Sequence, residues 1–346
     1  MRIFSYRNKR RVRRLLLAMV ILLAVLLFFC VIRFVYLQRF LVYENGNVRL
    51  DYDQNLVSQP QEETPWTDEP VTIITEEAAV QVSNPLDEPR KALSGCYITT
   101  SMLTELDAVK AALSELDESP EAVLIDLKSI YGNFYYSSGL SGATMTTAAD
   151  VPAVDSFLSE LAGQPGLYLV ARVASLSDPN FALANQACGL PLRSGALWVD
   201  TNNCYWLDPM DELVQRYLVS IAQELASLGF DEVVFDDFRI PDSGNIIYTT
   251  EYTREEAAGM AAQSIVEQLA GTPIRVSFNS SNALVAEHSE RTYLVCEDGS
   301  QVSALVEGLS SVLDDPSTQI VFLTASRDTR FEGYGLLRPL IEARQE

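Results

Sequence analysis

The chain contains 346 residues, 48% of them hydrophobic, and carries a formal net charge of −22 with a single histidine. This length is sufficient for one large domain with additional segments, or for two ordinary domains. The negative charge excludes electrostatic nucleic-acid binding, which depends on clustered Lys and Arg. One histidine, His288, excludes a histidine-rich zinc site, and neither GxSxG nor HExxH occurs. No motif requires a metal or another cofactor, so carboxylates, hydroxyls or backbone groups would carry any catalysis.

The N-terminal segment has the composition of a membrane anchor. The first 39 residues contain nine Lys and Arg and no acid, and residues 15–32 form an uncharged apolar run of 18 residues. A bilayer-spanning helix needs about 20 such residues. A cleaved signal peptide is the alternative, but no small-x-small site follows the run. The sequence therefore predicts an uncleaved, single-pass transmembrane signal anchor over 15–37.

The distribution of charge predicts how this anchor is oriented in the cell membrane. Lys and Arg are retained on the cytoplasmic side, so the basic segment 1–14 is expected to be cytoplasmic and the acidic remainder extracytoplasmic. Residues 38–92 are rich in Pro, Glu, Thr and Gln and poor in large apolar residues. This composition predicts a linker or stalk, in which a short hairpin around Asn45–Gly46 is expected.

Four of the five cysteines fall in the part predicted to be exported, where disulfides are permitted. Their spacing is irregular and contains no CxxC motif. Cys188 and Cys204 are close enough in sequence to form a loop disulfide, and buried free thiols are the alternative.

From Ser94 onward, short β-branched apolar runs alternate with helical patterns near 104–117, 150–163, 209–228, 254–270 and 301–313. Strands that are apolar on both faces and alternate with helices indicate a parallel sheet covered by helices. We expect a TIM-like (β/α)8 barrel over 93–346, with an eighth strand that is irregular near Phe331–Leu337 or absent. A doubly wound open sheet is the alternative, but no Gly-rich phosphate turn follows the first strand. The seven candidate strands are Gly95–Thr100, Ala122–Lys128, Gly166–Val173, Glu232–Phe238, Ile274–Asn279, Tyr293–Glu297 and Gln319–Thr324.

Polar residues recur where these strands end, which is the functional face of a parallel barrel. Acids near strand ends also cap helices or pair with arginines, and convergence of several strand ends is what favours a site. Alternation along a strand predicts that Asp126 and Lys128 share a face and that Asp236 and Asp237 point in opposite directions. At most one of the last two is then expected to react. The strand-end residues are Asp126, Lys128, Arg172, Asp178, Asp236, Asp237, Arg239, Ser277, Asn279, Glu297 and Asp298.

The block Gly229–Pro241, GFDEVVFDDFRIP, resembles a glycoside hydrolase domain family of bacterial extracytoplasmic proteins that is similar to TIM-barrel glycosidases. In that family the strand reads Gly-Phe-Asp-Glu-Ile-Gln-Phe-Asp-Tyr-Ile-Arg-Phe-Pro, which aligns its Asp with Asp236 and its Arg with Arg239. Further blocks resemble the family in the same order over about 94–242, and beyond 242 the likeness fades. By resemblance these blocks carry over Asp126 and Lys128, Arg172 and Asp178, Trp198, and Trp206 to Pro209.

The resemblance implies a glycosidase, which needs two carboxyl groups flanking one glycosidic bond. Asp236 is the first candidate for a catalytic carboxylate, and Asp126, Asp208 or Glu297 is its possible partner. Glu297 fits the general-acid role by side-chain reach. Arg172, Arg239 and Lys128 are candidates for holding Asp236 ionised or gripping substrate oxygens. Aromatic residues, chiefly Trp206 and Tyr131, are candidates for stacking on sugar rings, although aromatic residues more often belong to a core.

Three functions remain open at this point. The first is a membrane-anchored glycosidase that acts on cell-wall or extracellular polysaccharide by two-carboxylate acid/base chemistry. The second is a catalytically degenerate barrel that serves as a carbohydrate-binding or envelope scaffold module. The third is a barrel that docks a protein partner through its acidic surface.

Overall fold

A computed structural model describes residues 41–44, 47–50, 90–116, 119–248 and 250–341 of the chain. The chain divides into two compact units, Met1–Ala78 and Ala79–Glu346. In the first unit, strands Leu41–Glu44 and Asn47–Leu50 pair antiparallel, which confirms the hairpin expected around Asn45–Gly46.

The second unit contains a closed barrel of eight parallel strands. Each strand pairs with its neighbours in chain order, and the last strand pairs with the first. This confirms the predicted (β/α)8 barrel and excludes the open sheet. The barrel strands are β1 Ser94–Ile98, β2 Ala122–Lys128, β3 Tyr168–Ala174, β4 Glu232–Asp236, β5 Arg275–Asn279, β6 Thr292–Val295, β7 Ile320–Leu323 and β8 Gly335–Pro339.

The eighth strand lies where the sequence predicted an irregular one, slightly further along the chain. Gly335 pairs with Val321 of β7, and Pro339 pairs with Tyr97 of β1. The backbones of β1 and β2 also approach closely. A Cβ at Gly95 on β1 would overlap the carbonyl oxygen of Ala122 on β2, so this position requires glycine.

Helices surround the barrel, and several begin at a side-chain cap. Asp150 accepts from Ala153 N, Asp211 accepts from Leu213 N, and Thr253 forms a capping box with Glu256. These caps explain why helices begin where they do. The helices are α1 Leu106–Ser114, α2 Val151–Ala162, α3 Pro179–Ala184, α4 Glu212–Ser227, α5 Arg254–Gln268, α6 Ala283–Ala286, α7 Val302–Leu309 and α8 Pro316–Gln319.

Alternation along each strand separates two apolar layers. Odd-numbered residues of β2, such as Val123 and Ile125, pack outward against the helices. Even-numbered residues form a separate cluster inside the barrel that includes Leu124, Val170 and Val234. Continuing this period toward the carboxyl ends of β2, β3 and β4 reaches polar residues, so the interior changes from apolar to charged at that mouth.

Two further expectations concern the membrane span and the cysteines. The predicted span over 15–37 lies outside the described residues, and no helix within them is long and apolar enough to cross a bilayer. Cys188 and Cys204 are both buried free thiols, which settles the two alternatives for this pair in favour of free thiols.

Candidate active site

Six consecutive strands bring a polar side chain to the carboxyl mouth of the barrel. Because parallel strands all end at this mouth, residues far apart in sequence become neighbours there. Most follow the inward face of their strand, two residues beyond a lumen residue such as Leu124, Val170 or Val234. In strand order they are Tyr97, Asp126, Arg172, Asp236, Asn279 and Glu297, and we refer to them as the mouth ring.

Asp236 ends β4 and lies at the centre of this arrangement. Its carboxylate oxygen Oδ1 accepts a hydrogen bond from the side-chain amide of Asn279 on β5. Its backbone carbonyl accepts from the backbone N–H of Ser175 at 3.1 Å and from the Ser175 hydroxyl at 2.5 Å. The backbone is therefore held on the β3 side and the carboxylate on the β5 side, which fixes where Asp236 points.

Arg172 and Asp126 form a bidentate ion pair across β3 and β2. Nε of Arg172 lies 2.6 Å from Oδ1 of Asp126, and the terminal nitrogen donates to Oδ2 at 2.8 Å. Burial raises the pKa of Asp126 above its usual value, Arg172 opposes this, and the charge of Asp236 adds to it. Burial also acts to lower the pKa of Arg172, but Asp236 and Asp126 more than offset it, and the net shift is upward. Asp236 is therefore close enough to act electrostatically on this pair.

Asp237 does not follow the predicted alternation. It has φ of +52°, in the left-handed region that Asp and Asn tolerate better than most residues. This turn brings Asp237 to the same cleft that Asp236 lines. The prediction that the two carboxylates face opposite layers is therefore wrong. Burial, and next the charge of Asp236, raise the pKa of Asp237, while Arg239 acts in the opposite direction.

Glu297 lies two residues beyond β6, and its carboxylate is held by the loop after β7. It accepts from the Thr324 hydroxyl at 3.0 Å and from the backbone N–H groups of Ala325 and Ser326 at 3.1 Å each. Its charge also acts on Tyr97, whose pKa is raised first by burial and next by Glu297. Glu297 thus belongs to the mouth, but its hydrogen bonds direct it toward β7.

Lys128 does not reach the mouth. A register irregularity between Asp126 and Lys128 breaks the period of β2, so the prediction that these two residues share a face is wrong. The ammonium group is fully buried, 2.9 Å from the Asp178 carboxylate and 2.7 Å from the Ala174 carbonyl. Asp178 also accepts from Tyr217 on α4 at 2.9 Å. This network connects β2, α3 and α4 behind the barrel wall, and Lys128 lines neither of the two clefts described below.

Asp208 and Tyr131 lie on loops around the mouth. The Asp208 carboxylate accepts from Met210 N at 2.9 Å and from the Tyr248 hydroxyl at 3.4 Å. Burial raises the pKa of Asp208. Tyr131 is 52% exposed and follows Ile130, which lines a cleft described below. Asp208 is thus engaged in holding its own loop, whereas Tyr131 is accessible.

Two clefts open on either side of Arg239, beyond the end of β4. The first, which we name the aspartate cleft, has a volume of about 730 Å³ and is lined by Asp236, Asp237, Arg254, Glu255 and Asn279 among others. The second, the tryptophan cleft, has a volume of about 580 Å³ and is lined by Trp198, Trp206, Asp200, Asn202 and Asn245 among others. Both volumes are within the range of about 300–1,000 Å³ typical of small-molecule sites.

The two tryptophans have different surroundings. Trp206 is only 4% exposed, and its indole N–H donates to Asp200 at 3.0 Å. The Arg239 guanidinium lies 5.3 Å from the Trp206 ring centre. Trp198 is half-buried and meets Trp206 edge-to-face at 6.4 Å. Trp206 is therefore the floor of the cleft, and Trp198 is its accessible aromatic wall.

Sequence reasoning missed two contributors to the site, Tyr97 and Asp200. Tyr97 falls within the predicted strand Gly95–Thr100, and period-two alternation with Gly95 places it at the end of the inward face. Asp200 accepts from Trp206 and from the backbone N–H groups of Asn202 and Cys204. No spacing signal marks Asp200. Within the described residues, no group of three or more His, Cys, Asp or Glu side chains is arranged to hold a metal ion.

The closed ring of eight parallel strands and its polar mouth define a (β/α)8 barrel protein with its site at the carboxyl ends of the strands. Residues 95–295, more than half of the chain, match the family described as "Putative glycosyl hydrolase domain", and the chain belongs to this family. This confirms the resemblance found in the sequence and extends it beyond residue 242, where the sequence analysis has the likeness fade. No curated protein is significantly similar to the chain in sequence.

Solved structures with similar folds include several glycoside hydrolases. An α-galactosidase from Lactobacillus brevis is 11% identical, with a TM-score of 0.52 over 76% of this chain and 39% of the other. A variant α-galactosidase from Geobacillus stearothermophilus, in complex with stachyose, is 16% identical, with a TM-score of 0.50 over 74% and 40%. This chain therefore spans about two fifths of those proteins, and the likeness shows the fold alone. A hypothetical protein from Ruminiclostridium thermocellum is 22% identical, with a TM-score of 0.46 over 53% of this chain and 96% of the other.

Proposed function

We propose that this chain is a glycoside hydrolase that cleaves a glycan at the aspartate cleft with Asp236 and Asp237 as its two carboxyl groups. The observation that carries the proposal is the left-handed turn at Asp237, which brings both groups to one cleft. Membership of a glycosyl hydrolase domain family supports the reaction class. Of the other predicted partners, Asp126 is engaged by Arg172 and Glu297 by the loop after β7.

The electrostatics of the two aspartates suit different roles. A general acid must hold a proton near neutral pH, which burial and a neighbouring negative charge favour. Both act on Asp237, whose pKa is raised. Asp237 would therefore donate its proton to the departing glycosidic oxygen. Asp236, oriented by the amide of Asn279, would form the bond to the anomeric carbon as the glycosidic bond breaks. Water would then give a proton to the Asp237 carboxylate, attack the anomeric carbon and break its bond to Asp236, which releases the sugar.

The distance between the two catalytic carboxyl groups sets the stereochemical outcome, so the product anomer tests the assignment of Asp236 and Asp237. Consecutive Cα atoms are about 3.8 Å apart, so the carboxyl groups of Asp236 and Asp237 are within reach of the separation of about 5–5.5 Å that retention requires. Glu297 lies two strands away from Asp236, and strands are spaced about 4.8 Å apart. A partner there would instead suit the separation of about 6.5–9.5 Å found in inverting enzymes.

The experiment measures release of reducing sugar from cell-wall and extracellular polysaccharides by the full-length chain. Asp236→Asn and Asp237→Asn are expected to lose release, while Glu297→Gln retains it. Proton NMR of the first product formed is expected to show the anomer of the substrate. A product of inverted configuration would transfer the acid role to Glu297. So would a loss of sugar release in Glu297→Gln together with continued release in Asp237→Asn. Equal release by wild type and Asp236→Asn would remove Asp236 from the mechanism.

A carbohydrate-binding barrel without catalysis is the second candidate. It is favoured by the hydrogen bonds and ion pair that already engage Glu297 and Asp126, two of the three carboxylates predicted as partners of Asp236. In that case the wild-type chain would bind glycans and release no sugar from any of them. A protein partner on the acidic surface remains the prediction of composition alone.

We further propose that residues 15–37 anchor the protein in the cell membrane with the barrel outside, on the basis of the apolar run and the basic segment before it. Carbonate extraction of membranes tests the anchor, because a spanning helix resists it. Protease added to intact spheroplasts tests the orientation. Extraction into the soluble fraction, or protection of the barrel from protease, would contradict the proposal.

A further inference from the structure

The tryptophan cleft adjoins the aspartate cleft without containing Asp236. The two clefts share Asp237, Arg239 and Asp242 in their linings. Arg239 is fixed between them because its guanidinium lies over the Trp206 ring, and it also approaches Asp237 at 3.6 Å. A molecule cleaved beside Asp236 and Asp237 can therefore extend past Arg239 into a second, separately walled space.

The chemistry of the tryptophan cleft suits a sugar ring. Trp198 offers an accessible aromatic face, and Val199 beside it is 42% exposed. Aromatic faces pack against the C–H faces of pyranose rings, while hydroxyl groups require polar partners around the edge. Side chains of Asn202, Ser243 and Asn245 supply such partners around this lining. Trp206 cannot offer its face in the same way because Arg239 covers it.

The charges of the two clefts restrict which glycans fit. Carboxylates outnumber guanidinium groups in the combined lining by four to two, even when Asp237 carries the proton that the proposed mechanism requires. Arg254 donates to the carbonyls of Pro241 and Ser243, both at 2.8 Å, and the Arg239 guanidinium lies over the Trp206 ring. A glycan that carries carboxylates or sulfates would therefore meet an excess of like charge. The charged lining residues are Asp200, Asp236, Asp237, Asp242, Glu255, Arg239 and Arg254.

We propose that the tryptophan cleft is a second sugar-binding subsite, with Trp198 as its stacking platform, and that the two clefts together bind a neutral or amino-sugar oligosaccharide and exclude polyanionic glycans. The proposal rests on the proposed function for the position of the scissile bond. The prediction of glycan binding is independent of the proposed function, because Trp198 and the charge of the lining act whether or not the bond is cleaved.

The test uses the full-length Asp236→Asn variant, in which bound glycan is not consumed. The probes are tetrasaccharides of glucose, galactose, N-acetylglucosamine and glucosamine, with tetragalacturonate as the polyanionic arm. The readout is intrinsic fluorescence, since the chain has only three tryptophans. At least one neutral or amino-sugar tetrasaccharide is expected to change the emission and to bind at least tenfold more tightly than its disaccharide.

Variants of Trp198 identify the source of the signal. Adding Trp198→Ala is expected to weaken tetrasaccharide binding at least tenfold, as measured by calorimetry, and to abolish the gain from disaccharide to tetrasaccharide. Trp198→Phe keeps a ring and is expected to retain binding while the emission change disappears. Trp66→Phe, in the predicted stalk, is the matched control, and its emission change is expected to persist.

Three results would overturn the proposal: no tetrasaccharide binding, binding unaffected by Trp198→Ala, or tetragalacturonate binding as tightly as the neutral probes. These failures are distinguishable from failure of the proposed function. If wild type releases sugar and Asp236→Asn does not, while Trp198→Ala changes nothing, the subsite is wrong and the hydrolase stands. If Trp198-dependent binding is found without hydrolysis of any glycan, the subsite stands and the hydrolase is wrong.

Discussion

The two ends of the barrel use the same residue types for opposite purposes, and β4 contributes to both. Glu232 at its start is fully buried. Its carboxylate accepts from Ser277 at 2.5 Å, Tyr168 at 2.8 Å and Arg291 at 2.6 Å. Asp236, four residues later, lines an open cleft. One strand thus carries a fully paired carboxylate at one end and an accessible carboxylate at the other.

This difference indicates which end has capacity for chemistry. A buried carboxylate that has both a cation and hydroxyl donors is neutralised where it lies, and altering it costs stability. At the mouth, the Asp236 and Asp237 carboxylates act on each other and face a cleft, which keeps them available to a substrate. In parallel barrels the carboxyl end is the functional face and the opposite end contributes stability. Substitutions at the two ends should therefore affect different measurements.

Asp236→Asn is expected to have the largest effect, on activity. If Asp236 is the nucleophile, its loss should lower kcat by at least roughly 10²-fold, the lower bound for a positioned catalytic group, because no covalent intermediate can then form. Asn keeps the size of the side chain, so the urea midpoint should change little. Steady-state release of reducing sugar and urea unfolding of the same preparation test both parts. A variant that loses activity because it unfolds would place Asp236 with Glu232 as a stabilising residue.

Glu232→Gln is expected to have the largest effect on stability. Removing one partner of a buried ion pair leaves Arg291 uncompensated and costs about 3–5 kcal/mol. Urea unfolding followed by circular dichroism measures the loss. The matched control is Glu212→Gln, which removes a carboxylate 3.4 Å from Arg216 on the exposed surface of α4 and should cost only about 0.3–0.5 kcal/mol. Equal losses of unfolding free energy in the two variants would show that burial of Glu232 at the amino end of the barrel does not strengthen its ion pair.

The sequence predicts the barrel well because its signal is repeated. Seven apolar runs separated by helical periods indicate parallel strands, and all seven are present. The eighth strand, Gly335–Pro339, contains an arginine and a proline, so it carries a weak strand signal. Its place is fixed by pairing with β7 and β1, and such closure depends on the whole ring, which no local pattern encodes.

The candidate site was predictable in its location and less so in its details. Strand ends identified Asp126, Arg172 and Asp236 at the mouth because inward alternation holds up to that point. It fails at Lys128, where an irregularity in β2 turns the side chain away, and at Asp237, where φ is positive. Both are single-residue backbone events set by neighbouring strands and loops. The residue types at these positions are compatible with both regular and irregular backbone, so the sequence does not predict either event.

Asp237→Asn is expected to stabilise the protein at neutral pH while it lowers activity. Because the pKa of Asp237 is raised in the folded state, the folded chain binds this proton more tightly than the unfolded chain. The stability that Asp237 contributes is therefore lost as pH rises through the interval between its unfolded and folded pKa values. Asn removes the charge and tolerates the left-handed φ.

The measurement is the melting temperature of wild type and Asp237→Asn from pH 3 to pH 8. The variant should melt higher at pH 7, and the difference should shrink toward the unfolded pKa of about 3.9. Asp298→Asn is the opposite control. Hydrogen bonds from Ser300 lower the pKa of Asp298, so this substitution should destabilise at pH 7 and have less effect in acid. A gain for Asp237→Asn that is independent of pH would mean that charge is not its cause.

Arg239→Gln is expected to have the smallest effect on stability. Compared with Arg291→Gln, it separates the effect of burial from that of contact distance. The Arg239 guanidinium lies 5.3 Å from the Trp206 ring centre, and the Arg291 guanidinium lies at the same 5.3 Å from the Tyr168 ring centre. Arg239 is largely exposed, whereas Arg291 is buried against Glu232. An exposed cation–π contact is worth about 0.5–1 kcal/mol, and Arg239→Gln should lower the unfolding free energy by no more than that.

Arg291→Gln, which also leaves the buried Glu232 carboxylate without its cation, should cost several times as much in the same urea titration. Similar losses in the two variants would mean that contact distance, and not desolvation, sets the strength of these pairs, and the contrast between the two ends of the barrel would not hold.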